Sequence, residues 1–150
     1  MTIDIEAGDS AEQRNAETVM LELLGHELKI HFDKHRHKTK HGATAEIDGV
    51  CADPPTLVEA WAHQGAPKAA QKNKVMADAA KLAWAAAAFY PNGARKIILF
   101  SDPLAAAQWL PSSRSWMAVA LTHFEIEVRV VELPTDVRAR VVAAQTRQYR

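Results

Sequence analysis

The sequence predicts a single α/β domain in the order helix, three-stranded meander, long helix, strand, helices, strand and C-terminal helix. Three observations support this fold class. The 150 residues include 48 % hydrophobic and 24 % charged side chains, ordinary values for one globular domain. Apolar residues recur at helical spacing in some stretches and form short alternating or continuous runs in others. A long helical segment between two strand runs indicates a β-α-β crossover beside an antiparallel unit.

The first helix is predicted from Ala11 to about Leu24, after a frayed acidic start over residues 1–8. A polar residue just before it can cap its N-terminus, and the glycine that follows is typical of a helix end. Its apolar stripe consists of Ala16, Val19, Met20, Leu23 and Leu24. Glu17 and Glu22 lie near that stripe, where each is either a solvated residue or an additional ligand to a metal site.

A first strand is predicted over His26–Phe32, because its apolar residues alternate. It should enter a hairpin whose loop is a basic block, Lys34–His41, which contains no acidic residue. Such a block is either a solvated loop or a loop that contacts nucleic-acid phosphates. The contacting side chains would be Lys34, Arg36, Lys38 and Lys40.

Two further strands carry the acidic residues of greatest interest, Asp48 and Glu59. The second strand is predicted over Ala43–Cys51, where Asp48 shares a side with Thr44, Glu46 and Val50. The turn Asp53-Pro54-Pro55 ends it, because proline cannot donate to a strand ladder. The third strand is Thr56–Trp61, with Leu57, Glu59 and Trp61 on one face and Val58 and Ala60 on the other. Asp48 and Glu59 can meet only in the right register, which the sequence leaves open.

The second half of the chain supplies the crossover and the remaining sheet. The predicted elements are a helix from Ala66 to about Phe89, a strand Arg95–Ser101, helices Asp102–Leu110 and Arg114–Phe124, a strand Glu127–Leu133 and a helix Asp136–Gln148. The long helix is rich in alanine, which favours helix formation and close packing on a sheet. Its polar stripe comprises Lys68, Gln71, Lys74, Asp78 and Lys81.

Composition narrows the functional classes only a little. Eighteen basic residues balance eighteen acidic ones, so net charge does not favour nucleic acid or any other charged partner. The start of the sequence lacks the basic and apolar regions of a signal peptide, and the longest apolar stretch is far shorter than a membrane span. A single cysteine, Cys51, excludes an internal disulfide. We therefore expect a cytoplasmic protein with no membrane partner.

The succession of a helix, a meander with Asp48 on one strand and Glu59 on the next, and a following helix and strand resembles the restriction-endonuclease-like fold of the PD-(D/E)xK nuclease superfamily. The resemblance covers about Ala11–Ser101, with Arg114–Leu133 as a continuation. It implies that Asp48 and Glu59 are the two acidic residues of the signature and hold Mg²⁺ (or Mn²⁺), which activates a water that attacks a phosphodiester. Carboxylate oxygens are the hard ligands that these cations prefer.

The sequence departs from the signature at its lysine, which should lie two residues after the glutamate, where this chain has Trp61. In some members of the superfamily that lysine lies on the following helix. The resemblance then implies Lys68 or Lys74, with Gln71 between them, as residues that orient the water or stabilise phosphate charge. Each of them is otherwise a solvated helix residue. The residue before the signature aspartate is Ile47 rather than proline.

The remaining histidines and the cysteine are weaker candidates for a functional site. The histidines at positions 31, 35, 37 and 41 could bind zinc if the hairpin folded back, although lysines interleave them and no cysteine accompanies them. His63, just past the third strand, could face the site or be an ordinary loop residue. Cys51 is expected to be a small buried apolar residue.

Three functions remain open at this point. The leading hypothesis is a nuclease, a metal-dependent hydrolase of nucleic-acid phosphodiesters with DNA as the expected substrate. The alternative is a catalytically inactive nuclease-like module for binding or assembly, which could form a homodimer. A third is an unrelated α/β domain in which Asp48 and Glu59 are ordinary salt-bridged strand residues.

Overall fold

The computed structural model describes the backbone of residues 5–148 and the side chains of residues 10–148. Its elements are α1 (Ile5–Leu28), β1 (Asp33–Lys38), β2 (Thr44–Ala52), β3 (Pro55–Trp61), α2 (Ala69–Phe89), β4 (Arg95–Phe100), α3 (Pro103–Ala106), α4 (Trp116–His123), β5 (Ile126–Val130) and α5 (Thr135–Gln148). The predicted fold class and order of elements are confirmed. Of the start predicted to be frayed, residues 1–4 lie outside the described part of the chain, and residues 5–8 belong to α1.

The five strands form one sheet in sequence order, β1-β2-β3-β4-β5. The first three pair antiparallel, as the predicted meander requires, while β3, β4 and β5 pair parallel to one another. Parallel neighbours need a crossover connection. Helix α2 makes the first crossover, and α3 with α4 makes the second.

Helices cover both faces of the sheet, and each face has its own hydrophobic core. One core joins the sheet to α2, α3 and α4, and the other joins it to α1 and α5. Alternation along β3 divides its side chains between them: Leu57 packs on the α2 side, whereas Val58 and Ala60 pack on the α1 side. The face assignment predicted for this strand is confirmed. Among residues 5–148, no helix combines the length and the apolar character that crossing a membrane requires.

Helix α1 is longer than predicted, because Gly25 does not end it. Gly25 is buried within the helix, where a Cβ would lie 2.6 Å from the carbonyl oxygen of Ile30. Glycine is therefore needed at this position for close approach of the backbone. The helix ends at Leu28, where Lys29 adopts a left-handed φ of 59° and the Ile30 N–H donates to the Gly25 carbonyl at 3.0 Å. The prediction of a strand over His26–Phe32 is wrong.

The basic block is also different from the prediction, since most of it is the edge strand β1 rather than a hairpin loop. The turn comes later, with the Thr39 N–H donating to the Ala43 carbonyl at 2.9 Å. An edge strand has one unpaired side, and charged side chains are common there. His37 anchors the strand: it is buried, and its Nε2 lies 2.8 Å from the Tyr90 hydroxyl. One inward histidine among exposed cations gives no hydrophobic alternation for sequence reasoning to detect.

Candidate functional site

The candidate site lies where β2 and β3 separate. The two strands pair from Ala52 opposite Pro55 to Gly49 opposite Val58, and Asp48 is the next residue of β2. The Asp48 carboxylate accepts a hydrogen bond from the backbone N–H of Ala60, with Oδ2 3.0 Å from the nitrogen. The Asp48 carboxylate thus replaces a backbone carbonyl as the acceptor for the Ala60 N–H, and Ala60 is the residue that follows Glu59.

A bulge in β2 creates this arrangement. Residues Asp33 and His35 of β1 oppose Val50 and Ile47 of β2, so β2 has one residue more than its partner in this interval. Ile47 and Val50 both pack on the α2 side, while a Cβ on Gly49 would lie 2.7 Å from Leu21 on the α1 side. The strict alternation predicted for this strand is therefore wrong beyond Ile47.

Glu59 points from β3 toward α2 and meets a lysine there. Its side chain is 4 % exposed, and its Oε1 lies 2.9 Å from the Lys81 ammonium nitrogen. The same ammonium donates to the backbone carbonyl of Glu46 at 2.9 Å. Lys81 therefore connects α2 to both separated strands.

A second contact fixes the position of α2 over β3. The Trp61 indole N–H donates to Asp78 Oδ2 at 3.1 Å, and Asp78 Oδ1 lies 3.7 Å from the Lys81 nitrogen. Trp61 and Glu59 lie on one face of β3, two residues or about 6.6 Å apart. Asp78 and Lys81 lie on one face of α2, three residues or about 4.5 Å apart. The two pairs face each other because α2 runs antiparallel to β3, so the earlier strand residue, Glu59, meets the later helix residue, Lys81.

The carboxylates of this cluster are poorly solvated and close to one another. Burial, followed by the nearby charge of Asp48, raises the pKa of Glu59 to about 9. Burial and then Asp48 likewise raise the pKa of Glu17, on α1, to about 7. Burial also raises the pKa of Asp78, against the opposing effect of Lys81. Three acidic side chains therefore resist ionisation in the absence of an added cation.

The environment of Lys81, in contrast to that of the acidic side chains, favours its charged form. Burial by itself would lower the pKa of its ammonium group, but the hydrogen bond and charge of Glu59, with the charges of Asp78 and Asp48, outweigh burial and raise that pKa. Burial thus favours the neutral form of Glu59, while the surrounding carboxylates favour the charged form of Lys81. A divalent cation at the carboxylates would favour loss of the Glu59 proton.

The residues present fit a cation held mainly by water. Within the described residues, no group of three or more histidine, cysteine, aspartate or glutamate side chains is arranged to hold a metal ion. Mg²⁺, however, is commonly bound through one or two carboxylates and retains several waters. Asp48 and Glu59 can supply two carboxylates, although Glu59 Oε1 already has the Lys81 ammonium group as a partner at 2.9 Å. This fits a carboxylate pair and does not fit an all-protein cage.

The helix residues expected to replace the signature lysine lie at the other end of α2. The Lys68 backbone N–H caps the helix by donating to Gln71 Oε1 at 2.8 Å. The Gln71 side-chain nitrogen lies 3.2 Å from His63 Nδ1. Lys74 is exposed and lines a cavity of about 140 Å³ together with Trp61 and His63. The lysine that the structure brings to Glu59 is Lys81.

The sequence does contain a signal for Lys81. Asp78 and Lys81 belong to the same polar stripe as Lys68, Gln71 and Lys74. A helix that returns over a parallel sheet runs antiparallel to the preceding strand, so a residue in the middle of that strand faces the interior of the helix. Which residue it faces depends on the connection over residues 62–68, whose path only the structure reveals. Glu17, considered as an additional ligand, does lie close enough to Asp48 for their charges to interact.

The basic block is partly neutralised by its neighbour on β2. Lys34 lies 3.6 Å and Arg36 2.9 Å from the Glu46 carboxylate. Lys38 and Lys40, nearer the turn, are exposed. The histidines of this region point to different surroundings: His31 pairs with Asp33 at 3.1 Å and His37 is buried beside Tyr90. They do not converge on a zinc site.

Comparison with protein-family models, with curated proteins and with solved structures finds no match to this chain.

Proposed function

We propose that this chain hydrolyses phosphodiester bonds of nucleic acid, DNA being the expected substrate, with Mg²⁺ or Mn²⁺ as cofactor. One observation carries the proposal: where the sheet opens, Glu59 of β3 contacts Lys81 of α2, and Asp48 of β2 lies close enough to both for their charges to interact. The order of elements around them is the one that the resemblance to PD-(D/E)xK nucleases requires. Lys81 then takes the part of the signature lysine, in preference to Lys68, Gln71 or Lys74.

Asp48 and Glu59 would hold the metal, with Glu17 near enough to add negative charge. A bound divalent cation supplies a water of lowered pKa and offsets the charge that develops on the phosphate. The hydrogen bond from the Ala60 N–H orients the Asp48 carboxylate without a mobile partner. The contact of Glu59 with Lys81 places one fixed positive charge beside the carboxylates, where it can stabilise an anionic phosphate group.

The test is cleavage of supercoiled plasmid and of a labelled oligonucleotide in Mg²⁺ and in Mn²⁺. The proposal expects metal-dependent cleavage that is abolished by Asp48→Asn and by Glu59→Gln and strongly reduced by Lys81→Met. Lys74→Met is the matched control, because it removes a lysine from the same helix away from Glu59 and should leave the rate unchanged. Absence of cleavage in both metals, or cleavage equal in the wild type and Asp48→Asn, would contradict the proposal.

A second candidate function is a catalytically inactive nuclease-like module that assembles with another protein or with a second copy. Exposed apolar side chains favour it: Leu104 on α3 is 66 % exposed, and Trp116 and Val119, three residues apart on α4, are 69 % and 52 % exposed. Light scattering after size-exclusion chromatography measures assembly directly. A dimer that persists at low concentration without any cleavage would favour this second function.

A further inference from the structure

A crevice opens at the edge of the sheet where the parallel strands β3, β4 and β5 end. After β4 the chain enters α3, which packs in the core on the α2 side, whereas after β5 it enters α5, which packs on the α1 side. Neighbouring strands whose connections leave toward opposite faces of a sheet keep a gap between them. Ligands of open α/β sheets commonly bind in such gaps, beyond the carboxyl ends of the strands.

A cavity of about 170 Å³ occupies this crevice. Its lining comes from residues that follow each of the three strands, and it includes none of the cluster around Asp48 and Glu59. Since a water molecule takes about 30 Å³ in the liquid, the cavity has room for a molecule of about five non-hydrogen atoms. The crevice is therefore distinct from the proposed nuclease centre and suits a small ligand.

The inner wall of the crevice is polar and buried. Gln64, Ser101 and Asp102 line it and are 7 %, 4 % and 6 % exposed. The Gln64 side-chain nitrogen donates to the Ala62 carbonyl at 3.2 Å and to the Ser101 hydroxyl oxygen at 2.7 Å, which fixes the orientation of the amide. The amide oxygen, Oε1, is buried and has no hydrogen-bond partner among the described residues. A buried acceptor is normally paired, so this one calls for a donor.

The other polar groups of this wall already have partners. Asp102 accepts hydrogen bonds from the backbone N–H groups of Gly65 at 2.6 Å and Leu104 at 3.0 Å. The Ser101 hydroxyl donates to the Trp61 carbonyl at 3.4 Å. The wall thus presents the unpaired oxygen of Gln64 together with the negative charge of Asp102. A complementary ligand has to bring the donor.

Two charged side chains at the exposed rim complete the electrostatics of the crevice. Glu132 and Arg138 line it, are exposed, and form no ion pair within the described part of the chain. With Asp102, the lining carries two carboxylates and one guanidinium group, so its charge is negative. Leu133 adds an apolar side chain. These groups complement a small molecule with a positive charge and a short aliphatic part.

We propose that the crevice binds a small organic cation that carries N–H groups, a primary alkylammonium or a guanidinium ion. One N–H donates to Gln64 Oε1, and Glu132 is the counter-ion at the rim. Such a cation satisfies both the buried acceptor and the negative lining, whereas an anion satisfies neither. The inference is independent of the proposed nuclease activity, since the crevice contains neither Glu59 nor Lys81.

The experiment is a two-dimensional proton–nitrogen NMR titration of the full chain with butylammonium chloride at constant ionic strength. The side-chain amide resonances of Gln64 should shift and saturate, because a hydrogen bond to Oε1 polarises the amide. Tetramethylammonium is the matched control: it is an isomer of butylammonium with the same charge and no N–H group, so it should produce no saturable shift. Equal saturation by both ions would overturn the inference. Shifts that only grow linearly with butylammonium would also overturn it and assign the crevice to water.

The rim charges are tested by two substitutions with opposite expected effects. Glu132→Gln should raise the Kd for butylammonium about threefold and Arg138→Gln should lower it about threefold, as expected for exposed charges. Both side chains are exposed, so the fold should be retained. Glu125→Gln is the control for Glu132→Gln, because it removes the same charge before the start of β5, at the opposite end of that strand, and should leave Kd unchanged. An unchanged Kd in both rim variants, or an equal rise in Glu125→Gln, would contradict the inference.

Inorganic phosphate is the competing ligand, because Arg138 and the N-terminus of α5 border the crevice and each by itself favours an anion. The same titration with sodium phosphate should produce no saturable shift of the Gln64 side chain. Saturation by phosphate but not by butylammonium would overturn the inference and reverse the sign of the ligand's charge.

Discussion

Glu46 and Glu59 lie on neighbouring strands, and each contacts a basic side chain, yet their electrostatic behaviour differs. Glu46 is exposed on β2, and the hydrogen bond from Arg36 lowers the pKa of its carboxyl group. Glu59 is 3 % exposed on β3, and burial raises the pKa of its carboxyl group despite the contact with Lys81. Hydration explains the difference. At the surface a cationic partner is enough to favour the ionised carboxylate, whereas in the interior the same partner does not compensate for the lost hydration.

The largest expected effect is on the rate of cleavage, which substitution of Glu59 should lower far more than substitution of Glu46. Glu59→Gln should reduce cleavage in Mg²⁺ by about 10³-fold, because a metal ligand contributes several kcal/mol to transition-state stabilisation. Glu46→Gln should change the rate by no more than about twofold. Initial rates of oligonucleotide cleavage measure both, and equal losses would remove the distinction between the two sites.

Glu59 and Glu46 should contribute to the pH dependence of stability with opposite signs. Between the usual pKa of about 4.5 and the folded-state values of about 9 and about 7, folded Glu59 and Glu17 keep protons that the unfolded chain has released. The free energy of unfolding then falls as pH rises, by about 1.4 kcal/mol per unit for each group while it holds its proton. Glu46, with a lowered pKa, contributes stability above its unfolded pKa that is lost as pH falls through its folded value.

Urea denaturation at pH 5, 7 and 9 without metal tests this prediction. Glu59→Gln should be more stable than the wild type at pH 9 and should flatten the decline. Added Mg²⁺ should restore stability at pH 9, because it binds the ionised carboxylates of the folded state. A wild-type stability that rises from pH 5 to pH 9 would refute the assignment of Glu59 as a buried acid.

A smaller effect is expected from removing the half-buried positive charge of Lys81. Lys81→Met should destabilise the fold by about 2 kcal/mol at pH 8, because Glu59 and Asp78 lose their positive neighbour. The loss should grow at pH 9.5, where Glu59 of the wild type, with a pKa of about 9, is mostly ionised and needs the positive charge. Lys72→Met, on the same helix, is the control, and denaturation of both variants at both pH values makes the comparison. A loss at pH 9.5 equal to that at pH 8 would assign Lys81 to packing alone.

The smallest effect on stability is expected for the exposed ion pair of Arg36 with Glu46. Arg36→Ala should change stability by no more than about 0.5 kcal/mol, since exposed ion pairs contribute little. Its 2.9 Å contact with Glu46 is as short as that of Lys81 with Glu59, so distance alone would suggest an equal role. A loss above about 1 kcal/mol at moderate salt would show that β1 depends on this pair for its place in the sheet.

Sequence reasoning succeeds where local pattern and composition determine the outcome. The faces of β3 can be predicted because its side chains alternate: Leu57 packs on one side of the sheet, and Val58 and Ala60 pack on the other. It fails for β1, whose exposed cations hide one buried histidine, and at Gly25, where a glycine serves close approach of the backbone rather than a helix end. It selects Lys68 and Lys74 on the correct stripe of α2, whereas Lys81 lies opposite Glu59.

The sequence by itself determines the order of helices and strands and the identity of every element except β1, because hydrophobic periodicity, turn residues and helix propensity act over a few neighbouring positions. It also supplies Asp48 and Glu59 on successive strands, with Glu59 in a run too apolar to leave it solvated. Only the tertiary structure decides that a bulge sets Asp48 against Ala60 and that α2 presents Lys81 to Glu59. Those outcomes depend on strand register and on the path of a connecting segment, which packing between distant residues selects.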